Sequence, residues 1–517
     1  MLHCNQGDEI SSTNRSIAKW IDGLRAGFTF RRQRRLKDLA KNSDRLSLGV
    51  RTIASLNDRL ILVPVKRRDF LIRGSGALAG AISLRRSIPL AAQARPAADY
   101  TIRIAPIRLE IAPGKTVRTT AFNGRVPGDL IRVREGRQVT VDVINETSEP
   151  DIVHWHGLKI PSQQDGAEEE GSPVVAAHGG MQRYTWIARP AGSRWYHSHT
   201  TAGHNLNRAT YTGEFGFLMI DPAHDPAPYD QEIFLALHDW DGYIESSGDG
   251  YQEVMYNHST INDRKLGFGE PLRVHEGQRV QLRLLNASAT LTHSLALPGH
   301  RFLVTALDGN PVPSPAAVET IRMGPAERVD AIVEMNRPGV WILGETDPAL
   351  RRAGMGIVVE YAGRQGAPQW KDPADTGFQY ERFGAVVAAD AQAAAAERVP
   401  LVFKPKFEGY GDFDHWTING LSWPKTTPVQ LRSGMRYRLI FDNQSNDMHP
   451  VHLHRHSFEL RNLNGNPTAG IFKDVVLVPA HTRSEVVFTA DNPGKTLFHC
   501  HQQDHMDSGF MMLFDYA

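Results

Sequence analysis

From residue 100 onward the apolar positions recur mostly at every second residue. In IRVREGRQVTVDVIN (131–145), Val139, Val141 and Val143 alternate with polar neighbours, the period of a strand that buries one face. The shape returns as LRVHEGQRVQLRLLN at 272–286 and VQLRSGMRYRLIFDN at 429–443. Each copy reads as a short strand, a glycine turn (Gly136, Gly277, Gly434) and a second strand ending at an asparagine nine residues after the glycine. Helical periodicity of useful length is scarce. An all-β chain of three consecutive β-sandwich domains, each roughly 120–150 residues, is expected.

Counting onward from each asparagine separates the copies. Nine and eleven residues after Asn145 stand His154 and His156, in HWHG; the same offsets after Asn443 give His452 and His454, in HPVHLHRH. After Asn286 they give Leu295 and Leu297. Five and seven residues after Gly192 come His197 and His199, and after Gly494 come His499 and His501, whereas Gly339 leads to Gly344 and Thr346. A His-x-His strand sends both imidazoles to one face. Eight imidazoles on four such strands need partners for their ring nitrogens, and a metal site between the outer domains is the economical partner. The middle domain then acts as spacer and support.

Composition narrows the class. At 517 residues the chain exceeds one hydrophobic core, and 58 Lys plus Arg against 57 acids offers no basic face for nucleic acid. The first hundred residues differ from the rest. KRRDFLIRGSGALAGAISL sets Arg67 and Arg68 before a Gly/Ala-rich apolar run, and AAQA at 91–94 offers a cleavage site. Residues 66–94 resemble a bacterial twin-arginine signal peptide, implying the twin-arginine export machinery as a partner and a periplasmic or otherwise exported product. The run is short and broken by Arg73, Arg85 and Arg86, which argues against stable membrane insertion. Residues 1–65 carry no readable motif, and a translation start near Val63 or Val65 would bypass them.

The segment HCHQQDH (499–505) places one cysteine between two histidines. Strand alternation turns Cys500 away from His499 and His501, toward a separate metal. With His505 and His449 it makes the Cys-plus-two-His set of an electron-transfer copper.

HWHG at 154–157, WYHSHT at 195–200, HPVHLHRH at 449–456 and HCHQQDH at 499–505 together resemble the four copper motifs of three-domain multicopper oxidases, the laccase group, over about residues 100–517. The resemblance implies cupredoxin-like Greek-key sandwiches at 95–222, 223–375 and 376–517, the last including a connector. It implies oxidation of a small-molecule reducing donor one electron at a time, with dioxygen reduced to water. Four copper ions follow: a type 1 ion on His449, Cys500 and His505; a type 2 ion on His154 and His452; and two type 3 ions, one on His156, His197 and His501, the other on His199, His454 and His499. Asp165, nine residues after His156, matches an acid that the family places near the type 2 copper, for proton relay or electrostatic support. Asp504, beside His505, is a second candidate.

Several positions depart from the pattern. Phe510 stands ten residues after Cys500, where many bacterial relatives have an axial Met; as a non-coordinating neighbour it would raise the type 1 potential. Met511 and Met512 follow, so a one-residue shift would restore a thioether. Met506 replaces a frequent Glu, and Arg455 replaces the Gly of HLHGH. The chain has 12 Met and no Met-rich insert of the kind dedicated copper-oxidising relatives carry. Phenols and aromatic amines are therefore the expected donors, with Cu(I) as the alternative and a non-catalytic cell-division or assembly protein of the same fold as a minor one. Copper nitrite reductases generally use two-domain trimers, whereas both halves of the trinuclear motif set lie in this chain, so a monomer can be complete.

Overall fold

The computed structural model describes residues 96–222, 228–246, 252–385, 396–408 and 412–516. The extension at 1–65 and the signal segment at 66–94 lie outside them. Among the described residues six mixed sheets form in pairs. Two four-stranded sheets lie between Tyr100 and Asp221, a six- and a five-stranded sheet between Gln231 and Tyr361, and a seven- and a five-stranded sheet between Glu397 and Tyr516. The fold is mostly β and its sheets are arranged as cupredoxin-like domains. In the first pair Val139, Val141 and Val143 meet Trp155, Tyr196 and Leu218 of the facing sheet. Each such side chain contributes roughly 1.5–3 kcal/mol when fully buried.

The repeated asparagine has a structural reason. In each unit it ends a strand paired in parallel with an opening strand: Ile104 beside Asn145, Leu237 beside Asn286, Phe403 beside Asn443. Its Oδ1 accepts the N–H two residues on, from Thr147 at 2.9 Å, Ser288 at 3.0 Å or Ser445 at 3.1 Å. Its Nδ2 donates at 2.8 Å to the carbonyl of Glu149, Leu291 or Asp447. This clamp, an Asx turn with a second tether, carries the chain out of one sheet and into a short strand of the other. Those strands are Val153–His156, His293–Ala296 and His449–Leu453.

Register makes the three units comparable residue by residue, and it corrects the count from the asparagines by one in the middle unit, where Leu295 matches Val153 and Val451 and Ala296 matches His154 and His452. Val153 pairs with Ser198, Leu295 with Glu345 and Val451 with Cys500. Ser198, Glu345 and Cys500 thus hold one position, and Asp151, His293 and His449 another. In the first unit the Ser198 hydroxyl donates to Asp151 Oδ1 at 2.7 Å. In the middle unit His293 lies between Glu345 Oε2 at 3.0 Å and Asp239 Oδ2 at 2.9 Å. In the third unit the position becomes a thiol–imidazole pair.

Candidate metal centre

Cys500 ends the strand Thr496–Cys500, and His505 follows on the short helix Gln503–Asp507. The Sγ of Cys500 is 3.8 Å from Nδ1 of His449 and 3.5 Å from Nδ1 of His505, and those nitrogens are 3.1 Å apart. Three donors so spaced surround a point roughly 2 Å from each, the scale of imidazole–metal and thiolate–metal bonds. All three are buried. Burial pulls His449 well below the ordinary imidazole value and His505 down to about 4, leaving neutral rings with a lone pair to offer.

The Ser445 hydroxyl holds His449 Nε2 at 2.8 Å, and aromatic rings pack around the rest of the set. Trp416 packs against both rings, edge-on to His449 with centroids 4.7 Å apart and tilted to His505 at 4.5 Å. Phe510 is fully buried with its ring 4.9 Å from that of His449, and its carbonyl accepts the Cys500 N–H at 3.1 Å. Met511 lies opposite His499 and packs with Ala167, Leu497 and Met506 on the other face of the strand. Met512 lies opposite Phe498, two residues further along. The shift that would bring Met511 to the thiol is not the register of the structure.

The eight paired histidines converge in three groups, each with donor atoms within 4.8 Å: His154, His156 and His452; His156, His197 and His501; His199, His454 and His499. Facing nitrogens lie 3.4 Å apart in His156–His197, 3.4 Å in His199–His499 and 3.1 Å in His454–His499. Burial, then the neighbouring imidazoles, holds His197, His199, His454, His499 and His501 well below the usual value. The Nε2 atoms of His154 and His452 and both nitrogens of His501 are buried without a hydrogen-bond partner. Neutral, clustered imidazoles with orphaned inward nitrogens fit a metal cluster and little else.

Most outward nitrogens are tied down. The carbonyls of Asp165, Ser198, Asp474 and Cys500 accept from Nδ1 of His154, His197, His452 and His499 at 2.8, 2.8, 2.7 and 2.8 Å. Asp165 Oδ2 accepts from His454 Nδ1 at 2.8 Å, and Asp474 Oδ1 from His156 Nε2 at 3.0 Å. Asp165 therefore sits among the cluster histidines. Asp504 does not: its carboxylate is 4.0 Å from His505 Nε2, on the other side of that ring.

Two further acids escaped the sequence reading. Asp474 is one. Glu170 is the other: its Oε1 accepts the Leu497 N–H at 2.6 Å and lies 3.4 Å from His454 Nδ1, while Oε2 is buried without a hydrogen-bond partner. Burial, reinforced by the charge of Asp165, raises Glu170 well above the usual carboxyl range. Glu170 stands in EEEG, a run that reads as an ordinary solvated turn. Arg455 also finds its explanation. Its φ is 59°, the left-handed region that favours glycine. Its guanidinium reaches the carbonyls of Ile160, Lys495, Asn492 and Pro493 and the Thr496 hydroxyl, at 2.6 to 2.9 Å. It staples the loop after His454 to the loop preceding the Cys500 strand.

A cleft of about 820 Å³ opens beside His505, lined among others by Asp504, Asp507, Trp416, Trp423 and Tyr211. Loss of solvent pushes the Asp504 carboxyl up to about 7. A small aromatic molecule fits the volume, and His505 forms part of the wall.

Sequence models of the family described as Multicopper oxidase match residues 104–225, 236–354 and 397–517. The multicopper oxidase MmcO of Mycobacterium tuberculosis is 29% identical, over 84% of this chain and 91% of that protein. The copper resistance protein A of Escherichia coli is 24% identical, over 87% of this chain and 98% of its own length. Among solved structures, a multi-copper oxidase from Pseudomonas thermotolerans superposes with a TM-score of 0.64 at 26% identity, covering 81% of this chain and all of that one.

Proposed function

Because the chain belongs to the multicopper oxidase family, we propose that this copper-dependent oxidoreductase takes single electrons from phenolic or aromatic-amine donors at His505 and reduces dioxygen to water among the eight paired histidines. Its His/Cys clusters match the mononuclear and trinuclear copper sites typical of laccase-like catalysis. The observation that carries the reading is the two-sided strand at Cys500, whose sulfur faces His449 and His505 while His499 and His501 face the cluster.

His449, Cys500 and His505 would hold a type 1 ion, and His154 and His452 a type 2 ion. His156, His197 and His501 would hold one type 3 ion, and His199, His454 and His499 the other. Copper, when bound, supplies one-electron acceptance at the thiolate and storage of electrons for dioxygen at the cluster. The chain supplies the rest. Its cleft presents a donor to the His505 edge, and Trp416 and Phe510 keep water from the thiolate. The peptide unit of Cys500 joins the two sites directly, and its carbonyl holds His499 Nδ1 at 2.8 Å. Asp165 orients His154 and His454 through its carbonyl and carboxylate, and the buried Glu170 carboxyl stands 3.4 Å from His454 Nδ1.

The absence of a Met-rich insert favours organic donors. The likeness to a copper resistance protein favours Cu(I) as the second reading. Oxygen uptake by the copper-loaded protein separates them: kcat/KM for a methoxyphenol well above that for Cu(I) supports the first, and the reverse order the second. The twin-arginine segment supports export to the periplasm, and the ligand census supports a working monomer with domains near 95–222, 223–375 and 376–517. Among the described residues no helix is long and apolar enough to cross a membrane.

A further inference from the structure

None of the eleven side chains assigned to copper comes from the middle domain, yet one of its residues grips an acid that holds two of them. Arg328, wholly buried, donates from Nη1 to Asp474 Oδ1 at 2.7 Å and from Nη2 to Oδ2 at 2.6 Å. Asp474 belongs to the third domain. Its Oδ1 also accepts from His156 Nε2, of the first domain, at 3.0 Å, and its carbonyl accepts from His452 Nδ1 at 2.7 Å.

We infer that Arg328, acting through Asp474, positions the His156–His452 pair and makes the middle domain a working part of the trinuclear site. Two observations carry this beyond an ordinary ion pair between domains. The first is the sense of the rings. His154, His197, His452, His454 and His499 turn Nδ1 outward to an oxygen. Against these five His156 is reversed, with Nε2 on Asp474 and Nδ1 toward His197 at 3.4 Å. An ionised carboxylate only accepts, so it requires the proton on Nε2 and frees the Nδ1 lone pair for the site. One residue thereby fixes two imidazoles with opposite nitrogens inward, and the two rings stack at 3.8 Å between centroids and 13° between planes.

The second observation is how firmly Asp474 is held. Its N–H donates to Asp308 Oδ2 at 3.2 Å, and Asp308 Oδ1 accepts the Arg328 N–H at 3.0 Å. Arg194 Nη1 stands 3.5 Å from Asp474 Oδ2. The glycine of HWHG belongs to the same arrangement: a Cβ on Gly157 would meet Asp474 Oδ2 at 2.7 Å and Arg328 Nη2 at 2.8 Å. A planar guanidinium gripping both oxygens leaves the carboxylate one orientation, which a point charge would not.

The inference rests on the copper assignment above, and its test separates the two. Full-length Arg328→Gln, Arg328→Lys and Asp474→Asn proteins are loaded with copper. Copper content, the type 2 electron paramagnetic resonance signal and the visible thiolate–copper band are then measured. Reduction by a methoxyphenol without oxygen, followed by reoxidation with oxygen, completes the set. Arg328→Gln and Asp474→Asn should keep the thiolate band and its anaerobic bleaching. They should bind cluster copper roughly 10–100-fold more weakly, with an altered type 2 signal and slower reoxidation. Arg328→Lys should fall between them and wild type. Unchanged cluster affinity and signal in both, or equal loss of the thiolate band, would overturn the inference. Should the variants not fold, nitrogen NMR of copper-free wild type decides: protonated Nε2 on His156 with protonated Nδ1 on His452 supports it, and protonated Nδ1 on His156 overturns it. A wild type with neither thiolate band nor cluster copper would instead refute the copper assignment.

Discussion

Cys500 Sγ lies 3.5 Å from His505 Nδ1, while the histidines on either side of Cys500 belong to the groups on the opposite face of its strand. One short strand therefore serves two metal sites, and the separation has a direct consequence. Cys500→Ser removes the thiolate and leaves the eight imidazoles in place. Donor oxidation should fall by more than the roughly 10–100-fold that losing an outer hydrogen-bond partner costs. The visible band should vanish while the type 2 signal persists, as absorption and paramagnetic resonance on one sample would record.

Phe510 is buried with its ring 4.9 Å from that of His449 and offers no lone pair. Phe510→Met should lower the type 1 reduction potential, because a thioether donor stabilises the oxidised ion. A redox titration of the visible band reads it, and an unchanged or higher potential would remove Phe510 from that role.

Gly157 adopts φ +82°, and any Cβ there would press on the Asp474–Arg328 fork. Gly157→Ala should cost about 1–3 kcal/mol of stability, from left-handed strain and displacement of a buried ion pair. Urea unfolding of the copper-free protein gives the value.

Arg455→Gly relieves a left-handed backbone but strips hydrogen bonds from four carbonyls and one hydroxyl. The lost bonds outweigh the relief of about 1 kcal/mol, giving a net cost of roughly 1–3 kcal/mol. Arg455→Lys should restore little of it, since one ammonium cannot span those acceptors. The same unfolding assay compares the two.

Stability of the copper-free protein should fall at both ends of the pH range. Burial holds His456 and His505 near about 4, below the unfolded value of about 6.5. The unfolded chain therefore takes up protons first, and stability drops as pH falls from about 6.5 to about 4, by up to roughly 1.4 kcal/mol per pH unit for each ring. His293 has the opposite sign. Burial opposes its charge, but Asp239 and Glu345 outweigh burial and raise it to about 10. Its contribution is complete below about 6.5 and is lost as pH rises toward about 10. His293→Gln should flatten the alkaline limb in a pH series of urea unfolding, and a limb left intact would clear His293.

The sequence was legible where function is written in local spacing. The alternating strands, the asparagine repeat and the His-x-His pairs all follow from periods of a few residues, and the structure brings those histidines together. The register of Val451 against Cys500 bears out the two-sided strand. What could not be read depends on contacts between distant segments. Asp474 lies 318 positions from His156, and Arg328 lies 146 from Asp474. Nothing in FKDVV or AERVD marks them. Glu170 hid in an acidic run, and Arg455 looked like an uncompensated cation because its acceptors are backbone carbonyls, which leave no trace in residue type. Asp504 shows the converse: adjacency to His505 in sequence sets it on the wall of the cleft beside that ring, away from the cluster.

The most direct test of the central claim is the ratio of donor oxidised to oxygen consumed by the copper-loaded protein with a methoxyphenol, measured with peroxide detection. Each oxygen molecule needs four electrons to become water, so the account predicts four one-electron oxidations per oxygen, no peroxide, and no uptake by Cys500→Ser. A ratio of two with peroxide released, or uptake that survives Cys500→Ser, would contradict it.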